Sequence, residues 1–210
     1  MPNHAGVLTW DLARAVQNIP FPDDSFDAVY AIEATVHAPS LQGVYSEILR
    51  VLKPGGVFGV YEWLMTDAYN NADVAHRRIR LDIEQGDGIA QMVPVREGVD
   101  AVRAAGFDLE RHEDLADDDD DGAAPWYWPL GSDVRYAQTL GDLVTVLRMN
   151  RWTRVVAHSF LGLLEGARII PAGTRKTAES MGRAADALVK GGQEKLFTPM
   201  YLMVARKPAS

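Results

Sequence analysis

Apolar positions along the chain follow two periods, and the change between them organises the reading. Asp27–Ala34 and Val57–Trp63 are short, nearly continuous apolar runs. Runs of that length bounded by turn residues predict buried strands. Between them, Leu41–Leu52 sets Val44, Ile48, Val51 and Leu52 on one helical face, and Pro54-Gly55-Gly56 is read as the helix stop. Strand, helix and strand in that order predict two parallel neighbours of a doubly wound sheet, with chemistry at their carboxyl ends. Upstream, Phe21–Ser25 is a turn cluster and Met1–Arg14 is irregular, with a brief extension at Gly6–Trp10. Downstream, Asp73–Glu84 and Val95–Ala105 read as helices, the second closed by Gly106, and Phe107–Asp114 reads as a strand. From Leu140 the period is helical: Leu140, Leu143, Val144 and Leu147, then Val156, Phe160, Leu163 and Leu164. Thr174 is expected to cap a third helix that runs to about Lys190 and ends at Gly191-Gly192. Phe197–Arg206 then alternates as a closing strand. The class is α/β, a partial sheet followed by a helical insert, dividing near residue 130.

Composition narrows the partners. Of 210 residues, 47% are apolar and 24% charged, which suits a globular chain with a real core. The net charge of −8 speaks against nucleic acid. Asp117–Asp121 contributes to that charge and reads as a solvated loop, since consecutive carboxylates lack the alternating spacing of a calcium loop. No cysteine is present, so disulfides, thiolate metal sites and a thiol nucleophile are excluded, and no metal is expected. No stretch approaches the ~20 apolar residues that span a bilayer. Met1–Ala15 lacks the basic start and apolar centre of a signal peptide.

Candidate chemistry gathers at the predicted strand ends. Glu33, His37, Tyr61, Glu62 and Trp63 all fall there. Glu33 has two open readings, a carboxylate that caps or pairs structurally, or one that takes a proton or steadies a positive charge. His37 is an ordinary loop histidine or a base. Glu62 between Tyr61 and Trp63 suggests a cation pocket of two aromatic faces and an anion, which Trp126, Tyr127 and Trp128 would complete unless they simply pack against a core. No Gly-x-Gly-x-x-Gly, Walker sequence, nucleophile elbow or metal-binding His pair occurs, and Gly86-Asp87-Gly88 follows a helix rather than a strand.

These stretches resemble the sterol 24-C-methyltransferases of ergosterol biosynthesis. The resemblance rests on Tyr30–Pro39, Val51–Gly56, Tyr61–Asp67, Gly86–Ile89, Glu113–Asp117, Pro125–Tyr127 and Lys195–Met200, and spans about residues 16–208. Leu-Lys-Pro-Gly-Gly is shared by many S-adenosylmethionine methyltransferases; Ile-Glu-Ala-Thr-x-His-Ala-Pro with Tyr-Glu-Trp-x-Met-Thr-Asp points to the sterol branch. Val36 stands where the family commonly has cysteine. The resemblance implies a partial class I methyltransferase (Rossmann-like) sheet in residues 1–130 and a sterol methyltransferase C-terminal region in 131–210. It implies S-adenosylmethionine as cofactor, with the main binding loop in an N-terminal half that has no counterpart here. Tyr30, Ala31, Ile32 and Glu33 would touch that cofactor. Glu33, His37 and Glu62 would be catalytic, and Tyr61, Trp63, Asp87, Trp126 and Tyr127 would meet the sterol, with the insert at about 132–192 walling the pocket. A peripheral place on endoplasmic reticulum or lipid droplets and a homo-oligomer in the full-length protein are further implications. The strand at Asp27–Ala34 would lose its usual neighbour and become an edge.

Overall fold

The computed structural model describes residues 18–116 and 124–209. The N-terminal extension at Gly6–Trp10 and the acidic run Asp117–Asp121 lie outside them. The chain forms two compact units, each built of separate segments: one of residues 1–65, 90–117 and 198–210, the other of 66–89 and 118–197.

The first unit holds a four-stranded sheet of order β1-β2-β4-β3, where β1 is Phe26–Ile32, β2 Leu52–Met65, β3 Asp108–Asp114 and β4 Phe197–Arg206. β1 runs parallel to β2 and β3 antiparallel to β4. Helices α1 (Leu41–Val51) and α3 (Val95–Ala104) pack with β2 around one core. Strand alternation decides which β2 side chains enter it: Phe58, Val60, Glu62 and Leu64 are all buried, whereas Tyr61 and Trp63 on the alternate positions are half-exposed. Phe58 stacks on Phe107, and Tyr45 of α1 tilts against Phe58.

The first strand is not the buried one that its apolar run alone predicts but the edge that the resemblance implies: Tyr30 is 80% and Ile32 59% exposed, and among the described residues β1 has β2 as its one neighbour. Pro54-Gly55-Gly56 is not the helix stop either. α1 ends at Val51, and β2 begins at once, with the glycines inside it. Gly55 takes φ +78°, its N–H donates to the Lys207 carbonyl, and the Lys207 N–H returns a bond to the Gly56 carbonyl. The pairing with β1 jumps from Phe26–Leu52 to Ala28–Val57 across this bulge.

The second unit is helical. α2 (Val74–Asp87) packs on α6 (Thr174–Gln193), and α4 (Leu140–Met149) and α5 (Arg151–Gly166) complete it. Asp73 caps α2 by accepting from the Ala75 and His76 N–H groups, and Gly88 closes it in the left-handed region. α6 is capped by Gly173 rather than Thr174, which is its first helical residue. Gly191 and Gly192 do not end it. They lie within the helix because aromatic rings press there: a Cβ on Gly192 would sit 2.2 Å from the Tyr127 ring, and one on Gly191 3.0 Å from Phe197. No helix of the described residues is long and apolar enough to cross a membrane.

Candidate functional site

The carboxyl ends of the parallel pair β1 and β2 open onto a cavity of about 350 Å3. Trp63 forms one wall, at the far end of β2. Val36 and Ala38 come from the 3-10 turn Thr35–His37 and the residue after it, and Leu41 from the start of α1. α3 contributes Glu97 and Ala101, and Gln91 and Val93 precede it. The lining thus combines the Trp63 indole, aliphatic side chains, the polar Ser40, Gln42 and Gln91, and an exposed carboxylate, Glu97. An aromatic face beside an anion favours a cationic or electron-poor guest.

Glu62 does not share that cavity. It points into the core, fully buried, and accepts a 3.2 Å hydrogen bond from the Tyr45 hydroxyl. Burial pushes its carboxyl up to about 8, with the Tyr45 bond opposing part of the rise, so it is a neutral acid at pH 7. Tyr45 is itself pushed well above the ordinary tyrosine value, first by burial and then by the Glu62 carboxyl, with buried Thr35 opposing. Such a cluster holds the start of the site in place and stores a proton; it presents no negative charge to a guest at neutral pH.

Glu33 follows β1 with φ +52°, a left-handed conformation uncommon for a residue with a side chain. Its N–H donates to the Tyr61 carbonyl at 3.2 Å, and its side chain is exposed. His37 is half-buried in the same 3-10 turn that supplies Val36. Of Glu33, His37, Tyr61, Glu62 and Trp63, all expected at the strand ends, Trp63 alone lines the cavity. Glu33 lies outside its lining and Glu62 beneath the sheet surface, because adjacent residues of a strand face opposite ways. Glu97, Gln91 and Val93 were not legible as site residues: they are remote in sequence from Trp63, and no motif marks them. Tyr30, Ala31 and Ile32 lie along β1, with Tyr30 and Ile32 exposed on the face away from the core.

The remaining predicted residues belong to the second unit. Asp87 is the exposed last residue of α2. Trp126 packs edge-on against Phe197 at 5.1 Å and against Tyr127 at 5.3 Å. Tyr127 lines a separate cavity of about 270 Å3 with Trp128, Tyr136 and the Asp133–Arg135 ion pair. The Trp128 indole N–H donates to the Asp133 carbonyl at 2.7 Å. Among the described residues no cluster of metal-ligating side chains occurs.

Residues 4–60 match the methyltransferase domain family and residues 144–209 the sterol methyltransferase C-terminal family. The chain is 70% identical over 190 residues to the sterol 24-C-methyltransferase ERG6B of Gibberella zeae, covering 90% of this chain and 50% of that protein. It is 62% identical over 188 residues to the enzyme of Aspergillus fumigatus, covering 90% and 49%. The chain belongs to the sterol 24-C-methyltransferase family. It spans about half the length of the curated relatives it matches. The sheet resembles geranyl diphosphate C-methyltransferase from Streptomyces coelicolor, with a TM-score of 0.54 at 14% identity over 91% of this chain and 49% of that one. The [4+2]-cyclase SpnF gives a TM-score of 0.51 at 20% identity over 93% and 54%. These likenesses establish the class I methyltransferase fold.

The family depends on S-adenosylmethionine. The described residues do not fit that cofactor as a complete site. Among the described residues four glycines take positive φ: Gly55 lies inside β2, Gly88 ends α2, Gly106 follows α3, and Gly173 precedes α6 after a loop. None stands between the carboxyl end of a strand and the start of a helix, where a glycine turn would cradle a cofactor. Tyr30–Glu33 on the open edge of β1 offers one wall.

Proposed function

We propose that this chain carries the acceptor side of a sterol 24-C-methyltransferase, the enzyme that moves a methyl group from S-adenosylmethionine to the C24 alkene of a sterol side chain. The observation that carries the reading is the joint presence of 70% identity to a sterol 24-C-methyltransferase and a cavity with Trp63 and Glu97 at the carboxyl ends of β1 and β2. Methylating an alkene needs no nucleophilic side chain. It needs the alkene positioned, the resulting carbocation sheltered, and one proton removed. Trp63 supplies the aromatic face and Glu97 the carboxylate. Glu62, buried with Tyr45, is a positioning residue rather than a charge partner. His37 or Glu33, at the same strand ends, is the proton acceptor. Tyr61 and the second unit's Asp87, Trp126 and Tyr127 remain proposed sterol contacts, and residues 131–210 the sterol methyltransferase C-terminal module. A peripheral place on endoplasmic reticulum or lipid droplets, and a homo-oligomer in the full-length protein, complete the reading.

The test is methyl transfer from labelled S-adenosylmethionine to zymosterol. The chain alone is expected to bind the cofactor weakly and to transfer nothing. The chain joined to the first half of the Gibberella zeae relative is expected to transfer, and Trp63→Ala in that fusion to lower turnover. A folded fusion that binds cofactor yet methylates no sterol would defeat the proposal. A non-catalytic sterol-binding role is favoured by the lack of a cofactor cradle among the described residues; sterol binding retained by an inactive fusion would select it.

A further inference from the structure

Three fully buried polar side chains belong to the elements that wall the cavity at the ends of β1 and β2. Glu62 and Tyr45 are 0% and Thr35 1% exposed. Glu62 comes from β2, Tyr45 from α1, and Thr35 from the 3-10 turn Thr35–His37. Each of these elements also lines the cavity: Trp63 follows Glu62, Val36 follows Thr35, and Leu41 lies one helical turn before Tyr45. The hydrogen bonds among the three do not close. Glu62 Oε1 accepts from the Tyr45 hydroxyl at 3.2 Å. Glu62 Oε2 and Thr35 Oγ1 have no hydrogen-bond partner among the described residues. The Thr35 hydroxyl is near enough to Tyr45 to ease its ionisation, yet makes no direct hydrogen bond to it. An orphaned polar atom in the interior is costly, and two around one tyrosine hydroxyl point to a shared partner.

The donor and acceptor inventory selects that partner. The Glu62 carboxyl is neutral at pH 7, so with Oε1 accepting from Tyr45, Oε2 carries a proton to donate. Thr35 has a second proton to donate. The Tyr45 oxygen gives its own proton to Glu62 and keeps lone pairs that can accept. Two donors and one acceptor are the complement of a single water, which accepts twice and donates once, the usual three bonds of a buried water. A metal ion would meet two donor protons in place of lone pairs. We propose that Thr35, Tyr45 and Glu62 bind one internal water molecule, and that this water ties the 3-10 turn to β2 and α1, so that Thr35 positions the cavity wall. Thr35 acts through Val36 and His37 and touches no reacting atom; it is a positioning residue. The positioning role rests on the methylation reading above, whereas the water does not.

Thr35→Val is the test, because it removes the hydroxyl and keeps the shape. If Thr35 Oγ1 were simply orphaned, valine would relieve it and raise stability. With a bound water, valine takes away one of its bonds, and the folding equilibrium constant of the 210-residue chain should fall about threefold to tenfold in urea unfolding. Deuteron magnetic relaxation dispersion should count one long-lived water fewer in Thr35→Val than in the parent chain. The infrared carbonyl stretch of the protonated Glu62 carboxyl, assigned by its loss in Glu62→Gln, should shift in Thr35→Val as the water leaves. The Ala38 amide donates to the Thr35 carbonyl at 2.9 Å. Its hydrogen exchange should quicken by more than the global loss of stability, while core amides of β4 follow the global loss alone. Thr35→Ser should restore all of these readings. In the fusion with the first half of the Gibberella zeae relative, Thr35→Val should raise the KM for zymosterol several-fold and leave that for S-adenosylmethionine unchanged; a merely structural loss would lower the active fraction and move neither. A Thr35→Val chain that is more stable than the parent, or that holds as many long-lived waters, overturns the water. A zymosterol KM that does not move overturns the positioning role. A fusion that methylates nothing defeats the methylation reading and the positioning role with it, and the water is still decided on the 210-residue chain, which is measured without sterol or cofactor.

Discussion

β1 and β2 are parallel neighbours of similar apolar character, and they meet opposite fates. On the core face, Phe58, Val60, Glu62 and Leu64 of β2 are buried to within 1%, while Val29 and Ala31 of β1, level with Phe58 and Val60, are only partly buried. On the other face, Tyr61 and Trp63 of β2 are half-buried, while Tyr30 and Ile32 of β1 are more than half exposed. Both sequences favour an extended backbone, and both form it. What differs is the surroundings: β2 lies between β1 and β4 with α1 and α3 on its core face, whereas β1 has one paired edge among the described residues. An apolar run thus encodes a strand, but its burial is encoded by whatever lies beside it. The same contrast explains Glu62. A carboxyl can sit in the interior strand only as a neutral acid bonded to Tyr45, while Glu33 at the end of the open strand keeps a solvated side chain.

Substitutions grade the two strands. Phe58→Ala should have the largest effect, about 3–5 kcal/mol in urea unfolding, because its ring contacts Tyr45 and Phe107 and leaves a cavity between them. A loss under about 1 kcal/mol would mean that β2 is not the core strand. Glu62→Gln is next, and its signature is the pH dependence. The folded carboxyl titrates at about 8 against an ordinary 4.5. Between those values the unfolded chain gives up this proton and the folded chain holds it, so folded stability falls as pH rises, by up to roughly 1.4 kcal/mol per pH unit. Below 4.5 and above 8 this group contributes no slope. Glu62→Gln should flatten the decline, losing a little stability at pH 5 and gaining it at pH 8. Parallel curves for the two proteins would show that Glu62 is not held neutral.

The fold was largely legible and the site only partly so, for different physical reasons. Helices and strands follow from periods and stop signals that lie within one segment, and α1, α3, β3 and β4 fall close to their expected bounds. The glycines misled because their meaning depends on a distant neighbour. Gly191-Gly192 reads as a helix end, but Phe197 and the Tyr127 ring occupy the space that side chains would need. The expected pairing of Glu62 with Trp63 failed on the two-residue alternation of a strand, which the sequence shows in principle; the substitute carboxylate, Glu97, comes from α3, which no local pattern links to β2. Gly56 is the third lever on the comparison. A Cβ there would lie 2.8 Å from the Lys53 carbonyl oxygen and 3.1 Å from that of Asp27, both backbone. Gly56→Ala should therefore cost about 1–3 kcal/mol. An unchanged stability would show that the bulge does not set how β1 aligns with β2.

Tyr30→Ser and Ile32→Lys should have the smallest effect, each within about 0.5 kcal/mol, since exposed side chains lose little on truncation. Their value lies in what they separate. An open strand edge recruits other chains through its free backbone groups, and a lysine placed there discourages that pairing. Ile32→Lys should accordingly leave the unfolding midpoint in place while lowering self-association in concentrated solution, read by light scattering. If instead either substitution cost more than about 2 kcal/mol, the side chain would have to be covered by something in solution. The contrast between the strands would then be one of degree, and β1 would count as a second interior strand rather than an edge.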